Sequence, residues 1–586
     1  MSDVLVKGGG WTTADSCHFD VDAHFEVNGT WASIGPLVEI AYLRLLEAGV
    51  PAIIAQYDYE LYLALPRQRH GIHPRRQCLT DTAVGIERTR FYPVERAYRV
   101  IHGLVGFILH AKQSLGDDGR WTVVVRNFDH AQHLSVRAIG ELARRGTRHG
   151  IDVVIQHGPD DAPPVVEAAD AAEWMKQIDS GVEAVLEDRF PLLLRHYRSA
   201  GDRLTVAQLA FKALVVCNRR GYYHEGKSLL PDILPCFDQL VGSDEARRMS
   251  SVSEINSCLV ATNDGERALQ IVRDLAVPHV SRPSLLAHMN YVLAMHHLRY
   301  LEAKDLERAE QLILSAVQDV RAAEESEHLE EHAFLRAFID NGLAFLRVRQ
   351  KQHQEALDLC GSAYEFVTRC VGEDRHLLHR SVLQYNMAQV YAILGRQDES
   401  LMCYRQAIAM DPFYAEYHAE SGNILQQLGR VREAIECYAE ALRCSPNYPE
   451  VLLRKAICHA SEGEWSEALN CSATCLELSP DQPDLLAART EILTELGQVD
   501  AALAEFDQAI AADGDSVALR VNRAVLHFNN GSYDLALADM NQAIVRDADN
   551  PAHYENRAAI YKAAEQPDLC QRDLDMAAKL AGPAVP

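Results

Sequence analysis

Residues 415–448 read AEYHAESGNILQQLGRVREAIECYAEALRCSPNY, and this stretch decides the fold. Gly429 lies between two helix-forming runs, at a place where a residue without Cβ enters a left-handed cap cheaply. Gly422 stands seven residues before that cap, Ala434 five after it, and Ala441 seven further on. Small side chains at such positions let two antiparallel helices approach closely. Tyr438 supplies bulk between successive pairs, and Pro446 ends the second helix.

Working outward, the pattern recurs. Gly395, Gly429, Gly463, Gly497 and Gly531 follow one another at a constant step of 34, and Glu565 takes the next slot. The small residue five positions on is Ser400, Ala434, Ala468, Ala502, Ala536 and Cys570 in turn. The one seven beyond is Ala407, Ala441, Cys475, Ala509, Ala543 and Ala577. Ala388, Gly422, Ala456, Thr490, Ala524 and Ala558 precede the caps. A single pair cannot bury its apolar face alone, so neighbouring pairs must stack.

This spacing resembles the tetratricopeptide repeat, in six copies: 381–414, 415–448, 449–482, 483–516, 517–550 and 551–584. The resemblance implies a mainly α, right-handed superhelical solenoid that holds a protein or peptide partner. Upstream the theme continues with longer steps, through Gly226, Ala268, Ala309 and Ala356 to Ser400. Segments 283–301 with 304–323, and 328–350 with 353–371, read as helical hairpins. The expected organisation is an α/β domain over 1–200, long-repeat hairpins over 204–380, and the six regular repeats over 381–584.

Some members of that family grip a peptide carboxylate with basic and amide residues. The matching slots here are Tyr385, Gln389, Glu420, Glu450 and Arg454, and only Arg454 has the required chemistry. A shift of one repeat gives Ala419, Asn423, Arg454, Asp484 and Ala488, which fits no better. Carboxylate-tail binding is therefore not expected. The face of the first helices offers Tyr385, Gln389, Asn423, Gln426, Arg454, Glu491, Asn522 and Asn556 as candidate peptide-binding residues. Amide side chains suit the hydrogen-bonding groups of an extended backbone.

Residues 1–200 differ in kind. Trp121 to Asp129 reads WTVVVRNFD, residues 133–146 form an amphipathic helical pattern, and 151–156 reads IDVVIQ. Strand, helix and strand with short connections argue for parallel strands. Residues 34–48 and 92–115 read as helices, and Ala52 to Tyr57 as a strand. The stretch near 120–160 weakly resembles the core of AAA-type and related signal-transduction ATPases. The chemistry of that family does not carry over. No G-x-x-x-x-G-K-[ST] occurs, and Lys7-Gly8-Gly9-Gly10 and Asn28-Gly29-Thr30 both lack the following lysine. The magnesium-handling acids would align with Arg126 and Asn127. The expectation is a degenerate, non-hydrolysing NTPase-like domain without cofactor. The alternatives are a nucleotide-responsive regulator, or a peptide-modifying enzyme whose substrate the repeats hold.

Further candidates are smaller. Residues 18–26, HFDVDAHFE, alternate, so that His18, Asp20, Asp22, His24 and Glu26 would share one strand face. That pattern offers a metal or acid–base site, against an edge strand with a solvated face. Asp129 and His133 lie one helical turn apart beside a strand end, a catalytic pair in outline. His296 and His297 point to different faces of a helix, and Ser135 and Ser199 lack a nucleophile-elbow context. The stretch 67–76, RQRHGIHPRR, would suit an acidic peptide or phosphate, against a solvated loop.

Composition bounds the rest. Hydrophobic residues make up 48% of 586, enough for packed interiors. A formal charge of −26 repels phosphate backbones and anionic lipid, so neither nucleic acid nor membrane is an expected partner. The 14 cysteines lack paired metal-site spacing and read as reduced thiols, with no metal. No signal-like run opens the chain, and a cytoplasmic location is expected. The sequence leaves room for a homo-oligomer.

Overall fold

The computed structural model describes residues 16–25, 29–83, 90–116, 118–156, 166–323, 329–480 and 482–581. It divides into two compact units, Met1–Glu420 with Cys444–Asn447, and Ser421–Arg443 with Tyr448–Pro586.

The first unit begins with a small parallel sheet in the order β1 (Ser16–Asp22), β2 (Arg120–Arg126), β3 (Ile151–Ile155). In register, Phe19 faces Val123, Val21 faces Val125 and Trp121 faces Ile151. These six side chains are buried, and Phe19 and Trp121 meet at 4.9 Å between ring centroids. The opposite face is half-exposed, so burial alternates along β2 although Val123 to Val125 run apolar. Helix Val94–Ser114 contributes Ile101, Leu104, Val105, Phe107 and Ile108 to this core, and helix His133–Gly146 adds Leu134, Ile139 and Leu142.

One expected strand is a helix. Residues Pro51–Gln56 form a helical turn and a half, because Pro51 sits at the first helical position, where its fixed φ and missing N–H cost nothing. The strand expected over 18–26 ends at Asp22; His24 and Phe25 lie beyond it, and Glu26 lies outside the described residues.

Helices follow from Arg203 onward. The hairpin expected over 283–301 and 304–323 forms as Pro283–Met295, a wider π turn His296–Tyr300, and Leu306–Ala323. The next is Leu329–Arg349 with His353–Val371. Where the regular repeats lie, helices of 13 or 14 residues alternate from Gln397–Met410 to Tyr533–Arg546. The spacing glycines adopt left-handed φ, from +71° to +75°. Glu565 is held at φ +58° in the slot where glycine is missing. Ala434, Ala456, Ala468, Cys475, Ala524 and Ala536 are fully buried between helices. Ala268, Ala309 and Ala356 are equally buried upstream, so the longer hairpins close by the same small-residue contact.

Candidate functional site

Three first helices of the second unit each keep one stripe in solvent. On Pro449–Ser461 it is Glu450, Arg454, Ile457 and Ser461; on Pro483–Glu495 it is Asp484, Ala487, Glu491 and Glu495. On Pro551–Ala563 it is Ala552, Glu555, Asn556, Ala559 and Lys562. Spacings of three and four put each set on one helix face. The stripe mixes apolar, acidic and amide groups, which suits contact with a side chain and its backbone together.

The candidate peptide-binding residues divide by position. Arg454, Glu491 and Asn556 are exposed on these stripes. Gln389 Nε2 donates to the Tyr404 hydroxyl at 2.6 Å, and Tyr385 packs its ring against Tyr404 and Tyr417. One repeat later the Tyr438 hydroxyl lies 2.8 Å from Asn423 Oδ1 and 3.0 Å from Gln426 Oε1. Asn522 Nδ2 donates to the Pro483 carbonyl at 3.2 Å, tying one first helix to the preceding one.

A second series was not read from the sequence. Arg489, Arg523 and Arg557 each make two parallel bonds, to Glu505, Asp539 and Asp573, with N···O distances of 2.6–2.8 Å. Each also reaches the second helix of the repeat before, at Ser472, Asp507 and Asn541. These arginines clamp consecutive repeats. The signal was available, because arginine recurs at the step of 34 and an acid recurs 16 residues later.

At the carboxyl ends of β1 and β2 the polar groups are engaged with one another. Arg126 Nε donates to Asp20 at 2.6 Å, and Asn127, at φ +54°, donates from Nδ2 to Asp22 at 3.0 Å. The two positions aligned with magnesium-handling acids are thus a cation and an amide facing the acids of β1. His24 is buried and stacks on His130 at 4.5 Å, so it leaves the face of His18 and Asp20. His133 takes Tyr98 as hydrogen-bond partner at 3.1 Å and stacks on His224 at 4.2 Å, while Asp129 is exposed in the turn before it. Burial holds His133 and His224 below the usual imidazole range. Glu225 caps that helix, accepting from the Leu134 N–H at 2.9 Å, and burial pushes its carboxyl up to about 7. Among the described residues no group of three His, Cys, Asp or Glu side chains is placed to hold a metal ion.

Other candidates are structural. Ser135 Oγ donates to the Thr30 carbonyl at 3.0 Å, and Ser199 to His196 within its own helix. His296 is fully buried against Asn256 at 2.8 Å. In the basic stretch 67–76 the arginines are paired within the chain, while Arg67, His70, His73 and Arg75 remain exposed. Arg69 forms two bonds of 2.8 Å to Glu187, Arg67 pairs with Asp188, and Arg75 and Arg76 pair with Asp58 and Glu60. Arg69 beside Glu187, with Arg220 behind it, holds that buried carboxyl down to about 2.

Stacked antiparallel helix pairs with this spacing define a helical-repeat protein. Three tetratricopeptide repeat family models match the chain, at residues 335–412, 415–448 and 492–551, and these segments are tetratricopeptide repeats. No curated protein matches the chain by sequence. Solved structures similar to it include a tetratricopeptide repeat protein from Parabacteroides merdae ATCC 43184, 17% identical, covering 42% of this chain and 94% of that one at a TM-score of 0.34. YrrB, described as a TPR protein with an unusual peptide-binding site, is 19% identical and covers 30% and 91% at 0.24. The Cut9–Hcn1 hetero-tetramer of the APC/C is 15% identical over 71% and 91% at 0.28. These scores are low, and the repeat assignment rests on the family models and the 34-residue register. None of the family matches falls in the N-terminal domain, and the ATPase resemblance finds no support there. Among the described residues no helix is long and apolar enough to cross a membrane.

Proposed function

We propose that this chain is a cytoplasmic protein-interaction adaptor whose right-handed repeat array holds a protein or peptide along the first-helix stripes. The observation that carries the reading is the 34-residue register, matched by tetratricopeptide repeat models at 335–412, 415–448 and 492–551, together with the exposure of Arg454, Ile457, Glu491 and Asn556 on first helices of the same register. Gln389, Asn423, Gln426 and Asn522 support that face by fixing the side chains behind it. The N-terminal α/β domain does not hydrolyse nucleotide in this reading, and it positions or regulates a second partner. The pairing of Arg126 with Asp20 supports that part, since a cation at the strand end repels magnesium.

The test is affinity capture from the native host with the full chain, beside an Arg454→Glu, Glu491→Lys, Asn556→Ala variant. A partner retained by the wild type and lost at least tenfold by the triple variant is the expected outcome. Equal retention by both would remove the stripes as the holding surface. Thermal melts with ATP, ADP or GTP plus magnesium are expected to show no shift, and a clear shift would favour a nucleotide-responsive regulator; phosphate release from ATP or GTP above background would sink the non-hydrolysing reading.

A further inference from the structure

The first unit seats one of its own arginines on a repeat. Arg90 is only 9% exposed, although an arginine is almost never buried unless it is paired. Its guanidinium lies 3.4 Å from the centroid of the Tyr414 ring. Nη1 donates to the Tyr417 hydroxyl at 2.7 Å, Nη2 meets the Asp411 carboxylate, and Nε donates to Thr80 Oγ1 at 2.7 Å. Asp411 also accepts the Leu79 N–H at 3.0 Å, and Tyr417 donates onward to Ser381 at 3.0 Å. Arg99 pairs with Glu416 at 3.0 Å beside it. A ring face, a carboxylate and a hydroxyl around one planar cation recognise the guanidinium fork and not a point charge.

The repeat itself does not require this cage. The slot of Asp411 holds Ser445, Ser479, Asp513 and Asp547 further on. The slot of Tyr414 holds Tyr448, Gln482, Ser516 and Asn550, and that of Tyr417 holds Val451, Leu485, Leu519 and His553. Only the junction at 411–417 combines all three groups. Its chemistry is therefore an addition to the repeat, and Arg90 is what it holds.

We propose that Asp411, Tyr414 and Tyr417 form a receptor for an arginine side chain, that Arg90 fills it in cis, and that the partner of these repeats is a protein segment whose exposed arginine competes with Arg90. The inference rests on the adaptor reading. Exchange of one arginine for another conserves every bond in the cage, so the contest is one of effective concentration. A tethered ligand acts at a level on the order of millimolar, and a free peptide therefore gains access only when the tethered arginine is withdrawn or its own flanks add contacts.

The test titrates the full chain with a blocked Gly-Gly-Arg-Gly-Gly peptide and its lysine counterpart. The arginine peptide should bind Arg90→Ala at least tenfold more tightly than it binds the wild type. Adding Asp411→Asn to Arg90→Ala should abolish the gain, and the lysine peptide should bind the single variant more weakly. Equal affinity for wild type and Arg90→Ala, or equal binding of both peptides, overturns the proposal. Should Arg90→Ala fail to fold, Arg90→Lys keeps the charge while withdrawing the fork, and the same comparison decides. Host-protein capture through the 454–556 stripes reads the adaptor function separately, so its persistence beside a failed titration would remove the arginine receptor alone.

Discussion

Gly422→Ala isolates the close approach on which the repeat depends. On propensity alone the change should stabilise helix Ala415–Gln427 by about 1 kcal/mol. The packing opposes it. A Cβ at 422 would lie 2.6 Å from Tyr438 Cε1, 2.8 Å from Cδ1 and 3.0 Å from Cζ, all on a rigid ring. Tyr438 is fully buried, and its hydroxyl is held by Asn423 and Gln426, so the ring cannot yield without losing that bond. Overpacking of this kind costs about 1–3 kcal/mol, and the lost hydroxyl hydrogen bond costs about 1 kcal/mol more. After subtracting the propensity gain, the expected net loss is about 1–3 kcal/mol. Long repeat arrays do not unfold in one step, so the assay is local: hydrogen exchange across 415–444. Exchange there should accelerate about 5- to 150-fold. Tyr438→Leu in the Gly422→Ala background should recover part of the loss. The preceding repeat shows that a Cβ in this slot is not forbidden in itself, since Ala388 coexists there with a fully buried Tyr404. Exchange slowed by Gly422→Ala would mean that propensity wins and would refute the reasoning.

Three further outcomes follow from the structure. Burial holds His296 and His379 down to about 4, so each is neutral in the fold while the unfolded chain takes up its proton near 6.5. Stability from these groups is therefore full above about pH 6.5 and falls as pH drops towards 4, by about 3 kcal/mol for each; the urea midpoint of His379→Leu should fall less steeply over that range than the wild type's. Arg523→Ala strands the buried Asp539 and cuts the link to Asp507, at a cost of about 2–4 kcal/mol read by hydrogen exchange in 517–546, whereas Arg523→Met with Asp539→Leu should recover most of it. Burial pushes the thiols of Cys78, Cys258 and Cys360 up to about 12, so they should resist a thiol-reactive probe at pH 8 until the chain is unfolded.

The legible part of the candidate site was the part that repeats. Arg454, Glu491 and Asn556 could be placed on the first-helix face because their slot numbers fix their direction once the period is known. The arginine clamps at 489, 523 and 557 follow the same period and were open to the same reading. The basic stretch 67–76 was not legible, because the acids that neutralise Arg67 and Arg69 stand at Asp188 and Glu187, more than a hundred residues on. Ala52–Tyr57 was misread because Ile53 and Ile54 suggest a strand, while Pro51 ahead of them starts a helix.

By itself the sequence determined the helical pairs, their period and their closing contacts. Each of those rests on residues within one 34-residue unit, where spacing along the chain is also spacing in space. Only the tertiary structure decided the use of charge. Arg90 meets Asp411 across 321 positions, Leu134 donates to Glu225 across 91, and neither pairing has a period to betray it. A periodic pattern encodes which face a side chain takes, but an ion pair between distant segments depends on where the chain returns, and no local spacing records that return.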